Sequence, residues 1–319
     1  MYRKIHRTLA VLYCLLTCAV VVQGSPTAAE LLKIKWVNVP AKPPLGVKHG
    51  TFYSECMDTT VGYNIYLPPS YDTDSAQRFP VVYFLHGSAG NESRSIRLAT
   101  YLHKAIKAGQ VAPMLMVFAN GGRNSAYIDA IDGTVLPETM IVKELIPHID
   151  ANYLTIGRRS GRAIQGFSMG GGGSLRIAAK FPDLFSSVVV YDAGGVREFD
   201  HIPTAEESRD VEKTRRKLPA RMAIMGEDLA YWQETGSWYL LEKNRDRIVD
   251  RLPIRIVIGT EDFSLEGAKV VRDRLAELKI AYEFELVQGP EHNIYKLYDH
   301  AGLEGLLFHA RHFGDSAAD

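Results

Sequence analysis

Ser168 stands between Gly166 and Gly170 in the stretch "IQGFSMGGGGSLRIAAKF", residues 164–181. A serine hydroxyl is a weak nucleophile until a base takes its proton and donors receive the negative charge that its attack creates. The G-x-S-x-G spacing supports that chemistry where a buried strand turns sharply into a helix. Side chains two before and two after the serine would collide in such a turn, and glycine has none. The free N–H groups and dipole at the helix start then favour developing negative charge.

In this context the partners follow in the order serine, acid, histidine. His292, in "VQGPEHNIYKLY", follows the last apolar run on a loop marked by glycine and proline, and is the candidate base. For the acid, Asp262 at the end of "IRIVIGTED" is favoured and Asp192 in "VVVYDAG" is second, while Glu261 is expected to point the other way. His300, His309 and His312 lie on a terminal amphipathic segment and read as surface or packing residues. The oxyanion pocket needs two N–H groups. One is expected from the backbone of Met169, after the nucleophile, and the other from the backbone of Ser88 in "FLHGSAGNES", a loop that His86 would brace. Because the base must be neutral to act, activity is expected to fall in acid.

These residues need a scaffold, and the apolar pattern describes one. "TFYSECM" and "GYNIYLPPSY" alternate polar and apolar side chains, with Tyr63, Ile65 and Leu67 on one face, as an antiparallel pair at a sheet edge would. From residue 80 onward come short continuous apolar runs: "VVYFLHG", "MLMVFANG", "AIQGFS", "SVVVYDAG", "IRIVIGTED" and "EFELVQG". Such runs read as parallel strands buried on both faces. Between them lie segments with apolar residues three and four apart. In "VVRDRLAEL", for example, Val271, Leu275 and Leu278 form a stripe, with Arg272, Asp273, Arg274 and Glu277 expected to face water. The alternation predicts an α/β class protein: a mostly parallel central sheet with helices on both faces. Residues 197–250, charged and then aromatic, break the alternation and are expected to form a mostly helical insertion over the carboxyl edge of the sheet. The chain then divides into an export signal over 1–24, a lead-in over 25–45 and one catalytic domain over 46–319.

The signal rests on Arg3, Lys4 and Arg7 leading into "LAVLYCLLTCAVVV", an apolar run of about 14 residues that is short of the roughly 20 a spanning helix needs. Secretion or a periplasmic location is expected, without stable membrane insertion after cleavage. Cys14 and Cys18 lie in this segment, so only Cys56 remains and no internal disulfide can form. No His, Cys and carboxylate cluster shows metal-ligand spacing, and neither metal nor cofactor is expected. Across 319 residues, 37 basic side chains balance 37 acidic ones. No global field would attract nucleic acid, so a small-molecule or polysaccharide substrate fits better. Oligomeric state leaves no trace in the pattern.

Taken together, "FLHGSAG", "GFSMGGG", "GTEDFSLEGA" and "GPEHNIYKLY" resemble the esterase D, or "Putative esterase", family of α/β hydrolases, and within it carbohydrate esterase family 1, the secreted feruloyl and acetylxylan esterases. The resemblance spans roughly residues 46–312. It implies Ser168 as nucleophile, Asp262 as acid, His292 as base, Ser88 and Met169 as oxyanion donors, and serine-ester hydrolysis through an acyl-enzyme without a cofactor. The family's substrate-placing loops correspond here to "NGGRNSAYIDAIDGTVLPE" and "MGEDLAYWQETGSWY". Tyr127, Trp232 and Trp238 in these stretches are candidates to stack on an aromatic acyl group or a sugar. The alternatives are acyl transfer to a sugar hydroxyl, siderophore esterase activity, or a non-catalytic carbohydrate-binding or surface protein that keeps the fold.

Overall fold

The computed structural model describes residues 26–72, 76–193, 201–204 and 212–314. The expected export signal and parts of the 197–250 insertion lie outside the described residues. Strands β1 (Val47–Ser54), β2 (Thr59–Tyr66), β3 (Val81–Leu85), β4 (Leu115–Ala119), β5 (Arg162–Phe167), β6 (Ser187–Tyr191), β7 (Ile254–Gly259) and β8 (Tyr282–Val287) form one sheet. Its order is β1-β2-β4-β3-β5-β6-β7-β8. The β1–β2 and β2–β4 pairs are antiparallel, and every pair from β4 to β8 is parallel.

Successive strand residues point to opposite faces, so a run that is apolar at every position must be covered twice. On one face Val81, Tyr83, Ile164, Val188, Val190, Ile254 and Ile256 join a core with helices α5 (Met169–Lys180) and α10 (Leu265–Glu277). The same core takes up the rod made of α3 (Pro137–Thr139), a wider π-type turn (Met140–Leu145) and α4 (Ile146–Asn152). On the other face Val82, Phe84, Ala163, Val189 and Val257 pack with α2 (Leu98–Lys107) and α11 (Ile294–His312). Tyr63, Ile65 and Leu67 share the first core, as their alternation requires.

Two expectations change, one on a strand and one on a helix. "EFELV" is β8, the sheet's outer edge, where only Val287 is buried, and the carboxylates of Glu283 and Glu285 pair there with Arg255 of β7. An edge strand has a neighbour on one side only, so its alternate positions remain wet. Arg274 is buried rather than water-facing: it pairs with Glu242 at 2.7 Å and Glu277 at 2.9 Å, and its guanidinium lies 4.2 Å from the Trp238 ring centre. A long aliphatic stem and a flat cation allow arginine to lie on an apolar surface that hydropathy alone would deny it.

The lead-in is also more ordered than its composition predicts. It carries α1 (Ala28–Leu32), opened by a capping box between Thr27 and Glu30. Ala28 and Leu32 join a small separate core with Ile128, Ala130, Val135, Ile224, Met225 and Trp232. The last three come from the insertion, whose described part is helical: α6 (Glu212–Met225), α7 (Leu229–Glu234), α8 (Ser237–Lys243) and α9 (Arg245–Ile248).

The glycine run shows how tightly α5 sits on the sheet. A Cβ at Gly170 would lie 2.0 Å from the Leu85 carbonyl oxygen, one at Gly171 2.8 Å from the Ala193 methyl, and one at Gly173 2.6 Å from the Tyr127 ring. Nothing lies within 4 Å at Gly172, so that glycine has no packing reason to be one. Gly172→Ala is therefore expected to stabilise the protein by about 0.5–1 kcal/mol in urea unfolding. Gly170→Ala, whose methyl meets rigid backbone, is expected to abolish soluble folded protein.

Candidate active site

Parallel strands send all their carboxyl ends to one edge, where loops converge and ligands bind. Along that edge, in spatial order, come the loop after β3, Ser168 after β5, Asp192 after β6, Asp262 after β7 and His292 after β8. Ser168 and His292, 124 positions apart, thus meet because their strands end at the same edge.

Ser168 adopts φ 56° and ψ −117°, a conformation that L-residues with side chains avoid. Strain of this kind costs on the order of 1–3 kcal/mol and persists only where surroundings dictate it. The surroundings are two absent side chains and one hydrogen bond. A Cβ at Gly166 would stand 2.1 Å from the Gly170 carbonyl oxygen, and the Ser168 N–H donates to the Tyr191 carbonyl at 2.8 Å. The hydroxyl is thereby lifted off the sheet at the start of α5.

His292 Nε2 lies 2.8 Å from Ser168 Oγ, and His292 Nδ1 lies 2.7 Å from Asp262 Oδ2. With Nδ1–H donating to the carboxylate, Nε2 is free to accept the serine proton. The imidazole ring is fixed from both sides, with the Phe167 ring centre at 4.8 Å and that of Phe263 at 4.4 Å. Asp262 is the partner of His292, as favoured. Burial would push its carboxyl up, but hydrogen bonds from His292 and from the Ser264 side chain and N–H bring it below the ordinary value, so it is ionised. Glu261 is exposed.

Among the described residues, neither the Ser88 nor the Met169 backbone N–H has an acceptor, while the neighbouring loop groups do: Ala89 N–H donates to Asn124 Oδ1 at 3.1 Å and Gly90 N–H to the Gly87 carbonyl at 3.0 Å. Two free donors beside the raised hydroxyl suit a developing oxyanion. His86 is buried and braces this loop. Its Nδ1–H donates to the Gly87 carbonyl at 2.9 Å, and its Nε2 accepts from Gly121 N–H at 3.3 Å. Burial outweighs the Gly87 hydrogen bond and lowers its pKa to about 4, so the ring is neutral, as its accepting nitrogen requires.

The three aromatic candidates for substrate stacking are all placed elsewhere. Tyr127 is fully enclosed against the α5 glycines, and its hydroxyl donates to the His86 carbonyl at 2.9 Å. Trp232 is fully enclosed in the small core, and its indole N–H donates to the Gly226 carbonyl at 3.0 Å. Trp238 is covered by Arg274 near the far end of α10. In each case the ring is taken up by local packing, the common fate of aromatic residues in large loops. The aromatic surface that does border the site is Phe263, 52% exposed against His292. Its position directly after the favoured acid was the available signal in the sequence.

The sequence showed no metal-ligand spacing, yet the fold brings ligand atoms of Asp192, Asp262 and His292 within 4.8 Å of one another. Three segments contribute one residue each, which no linear spacing could reveal. His292 Nδ1 is committed to donating its proton to Asp262 whenever Nε2 accepts from Ser168, which leaves no lone pair there for a cation. Cys56 is set apart: burial pushes its thiol up to about 11, and its Sγ lies near Ser54 and Glu144.

A family model described as "Putative esterase" matches residues 54–295. Esterase Rv1288 of Mycobacterium tuberculosis is 35% identical over 140 residues, covering 43% of this chain and 30% of that protein. An endo-1,4-beta-xylanase/feruloyl esterase of Xylanibacter ruminicola is 31% identical over 168 residues, covering 47% of this chain and 23% of that protein. The matched segments thus span less than a third of these relatives' length. Among solved structures, a ferulic acid esterase superposes with a TM-score of 0.68 at 23% identity, over 84% of this chain and 98% of that one. An S-formylglutathione hydrolase from Agrobacterium tumefaciens reaches 0.66 at 19%, over 88% and 99%. At such identities the structural likeness is one of fold: the α/β hydrolase arrangement.

The neutral state of His86 has a measurable cost in acid. Its imidazole protonates near 6.5 when unfolded but only near 4 when folded, so in between the unfolded chain binds the extra proton and stability falls as pH falls. His86→Asn keeps a donor for Gly87 but cannot charge. It is expected to be less stable than wild type at pH 7, with the gap narrowing by on the order of 2 kcal/mol between pH 6.5 and 5 in urea unfolding.

Proposed function

Because the chain belongs to the "Putative esterase" family, we propose that it is a serine carboxylic-ester hydrolase acting through Ser168, His292 and Asp262. The observation that carries this reading is the continuous hydrogen-bonded series from Ser168 Oγ through His292 to Asp262, at 2.8 and 2.7 Å. His292 Nε2 takes the hydroxyl proton as Ser168 Oγ attacks the ester carbonyl, and Asp262 stabilises the imidazolium that forms. The tetrahedral oxyanion rests on the N–H groups of Ser88 and Met169. Collapse expels the alcohol, which takes its proton from His292, and leaves the acyl-enzyme. Water, deprotonated by His292, then releases the acid. The His292 side chain is 20% exposed, so water reaches the base.

The proposed substrates are feruloyl or acetyl esters of a polysaccharide, met outside the cytoplasm after export. The basic and apolar pattern of residues 1–24 supports export, and the feruloyl-esterase relative and ferulic acid esterase neighbour support the substrate class. The site itself adds two features. Phe263 offers an exposed ring at the base. A polar pocket of about 180 Å³, bordered by Lys33, Lys35, Asn38, Asn91 and Arg123, lies against Ala89 and Gly90 of the oxyanion loop. A hydroxyl- and carboxylate-bearing chain suits that lining better than a lipid tail does.

Ser168→Ala is expected to lower p-nitrophenyl acetate turnover by on the order of 10⁴-fold or more. A variant with wild-type rates would show that the hydrolysis belongs to other residues. On a panel of methyl ferulate, acetylated xylan and a triacylated siderophore lactone, the first two are expected to give the highest kcat/KM. Preference for the lactone, or transfer product outpacing free acid when xylo-oligosaccharide is added, would replace the substrate assignment.

A further inference from the structure

Asp192, the carboxylate that His292 does not use, lies in the same buried cluster. It ends β6 one strand from Ser168 and one strand from Asp262, is 1% exposed, and adopts the left-handed φ of 46° that asparagine and aspartate tolerate better than most residues. Its Oδ1 accepts from Gly259 N–H at 3.3 Å. Its Oδ2 is buried and, among the described residues, accepts from no donor. An ionised carboxylate in that state would be both undersolvated and within reach of a second negative charge, a combination that proteins avoid by retaining a proton.

The hydrogen-bond count around Asp262 shows where that proton would go. Asp262 Oδ1 accepts from Ser264 N–H at 2.7 Å and Ser264 Oγ–H at 2.6 Å, and Oδ2 accepts from His292 Nδ1–H at 2.7 Å. A carboxylate has about four acceptor positions, so among the described residues one is unfilled, on a group that offers an oxygen within 4.8 Å of one on Asp192. Among the described residues the groups around Asp192 are few. The β7 end and its loop contribute Gly259, Asp262 and Ser264, whose hydroxyl also reaches the Asp192 carbonyl at 3.2 Å; the β8–α11 loop contributes His292; and α5 presents its glycine face. Among the described residues no lysine or arginine is paired with it.

We infer that Asp192 is a positioning residue held as the neutral acid, donating its Oδ2–H to Asp262 and thereby fixing the carboxylate that orients His292. The inference rests on the assignment of Ser168, His292 and Asp262 above. Burial, and then the negative charge of Asp262, raise its pKa to about 9, which agrees with a proton retained at neutral pH. The donated bond serves two ends. It fills the last acceptor site on Asp262 without adding charge, and it disfavours proton transfer from His292 to Asp262, so the acid remains ionised while the imidazolium forms.

The sign of the linkage follows from the raised pKa. Between about 4, where an unfolded aspartate titrates, and about 9 the folded state holds a proton that the unfolded state has lost, so this group's contribution to stability declines as pH rises through that window. Asp192→Asn is the isostere of the neutral acid: its carbonyl accepts from Gly259, its amide donates to Asp262, and it fits a positive φ. Asp192→Gly fits the backbone and removes the donor.

The test compares wild type, Asp192→Asn and Asp192→Gly in kcat, thermal unfolding from pH 5 to 9, and infrared difference spectra. We expect Asp192→Gly to lose at least tenfold in kcat with little change in KM, and Asp192→Asn to recover most of that loss. The wild-type drop in kcat above about pH 9, where ionisation would place two charges side by side, should be absent in Asp192→Asn. Thermal stability of Asp192→Asn should decline less from pH 5 to 9 than that of wild type, and a carboxylic-acid C=O band present in wild type at pH 7 should vanish. Equal loss in both variants, parallel stability curves together with no acid band, or inactivation by a chelator with recovery on adding zinc, which would put a cation in the gap, overturns the inference. The unfolding and infrared readouts need no turnover and can be repeated with Ser168→Ala, so failure of the catalytic assignment is distinguishable from failure of this one.

Discussion

The turn at Ser168 is the constraint on which the rest of the site depends. A residue with a side chain sits at φ 56° and ψ −117° because the chain on both sides is squeezed between the β3 end and the first turn of α5. Gly166 and Gly170 leave about the thickness of a backbone between them, and the Ser168 N–H is anchored on Tyr191 of the neighbouring strand. The strain is tolerable because it is small beside the burial that holds β5 and α5 in two packed layers. Relaxing the turn would lower the hydroxyl, withdraw the Met169 N–H from the oxyanion position and open the gap to His292 together. Geometry of the nucleophile and packing of the sheet are therefore one problem for this protein.

Around that turn the buried polar groups act as props, and their protonation states are set by burial. His86 is neutral and braces the oxyanion loop by one accepted and one donated hydrogen bond, and Tyr127 ties that loop's carbonyl to the α5 face. Arg176 of α5 reaches both the Tyr127 carbonyl and Glu138 of α3, so the loop after β4 is clamped to the helix that carries the nucleophile. Asp262 remains charged because three groups donate to it, and Asp192 beside it has only Gly259 N–H among the described residues. Neighbouring carboxyl groups of one edge thus take opposite roles through their hydrogen-bond partners, not their residue type.

The insertion and the lead-in share a small core of their own. Trp232 with Ile224 and Met225 closes a small core over Ile128, Ala130 and α1, and the Tyr231 hydroxyl donates to the Asp129 carbonyl at 2.6 Å. Through Asp129, which accepts from the first N–H groups of α3, that core is tied to the clamp on α5. Tyr231 and Trp232 of the insertion are taken up by this packing and Trp238 by Arg274, while Phe263, the exposed ring at the base, belongs to the β7 loop.

The sequence by itself determined the alternation of strands and helices, the strand-to-helix turn at Ser168, and the chain order of Ser168, Asp262 and His292. Each is a local matter: a run of apolar residues long enough for two covered faces, two glycines around a serine, or a residue directly after a strand. What it could not determine depended on which strands became neighbours. β8 looked like an interior strand because its edge position follows from the sheet order alone. Arg274 and Trp238 each looked exposed or available because neither reveals the other as its partner at 36 residues' separation. Asp192 and Asp262 competed for one role in the linear pattern, and only adjacency of β6 and β7 gave both a place: His292 Nδ1 has a single proton to donate, Asp262 receives it, and Asp192 is left in a buried gap with Gly259 N–H on one oxygen and, among the described residues, no partner on the other.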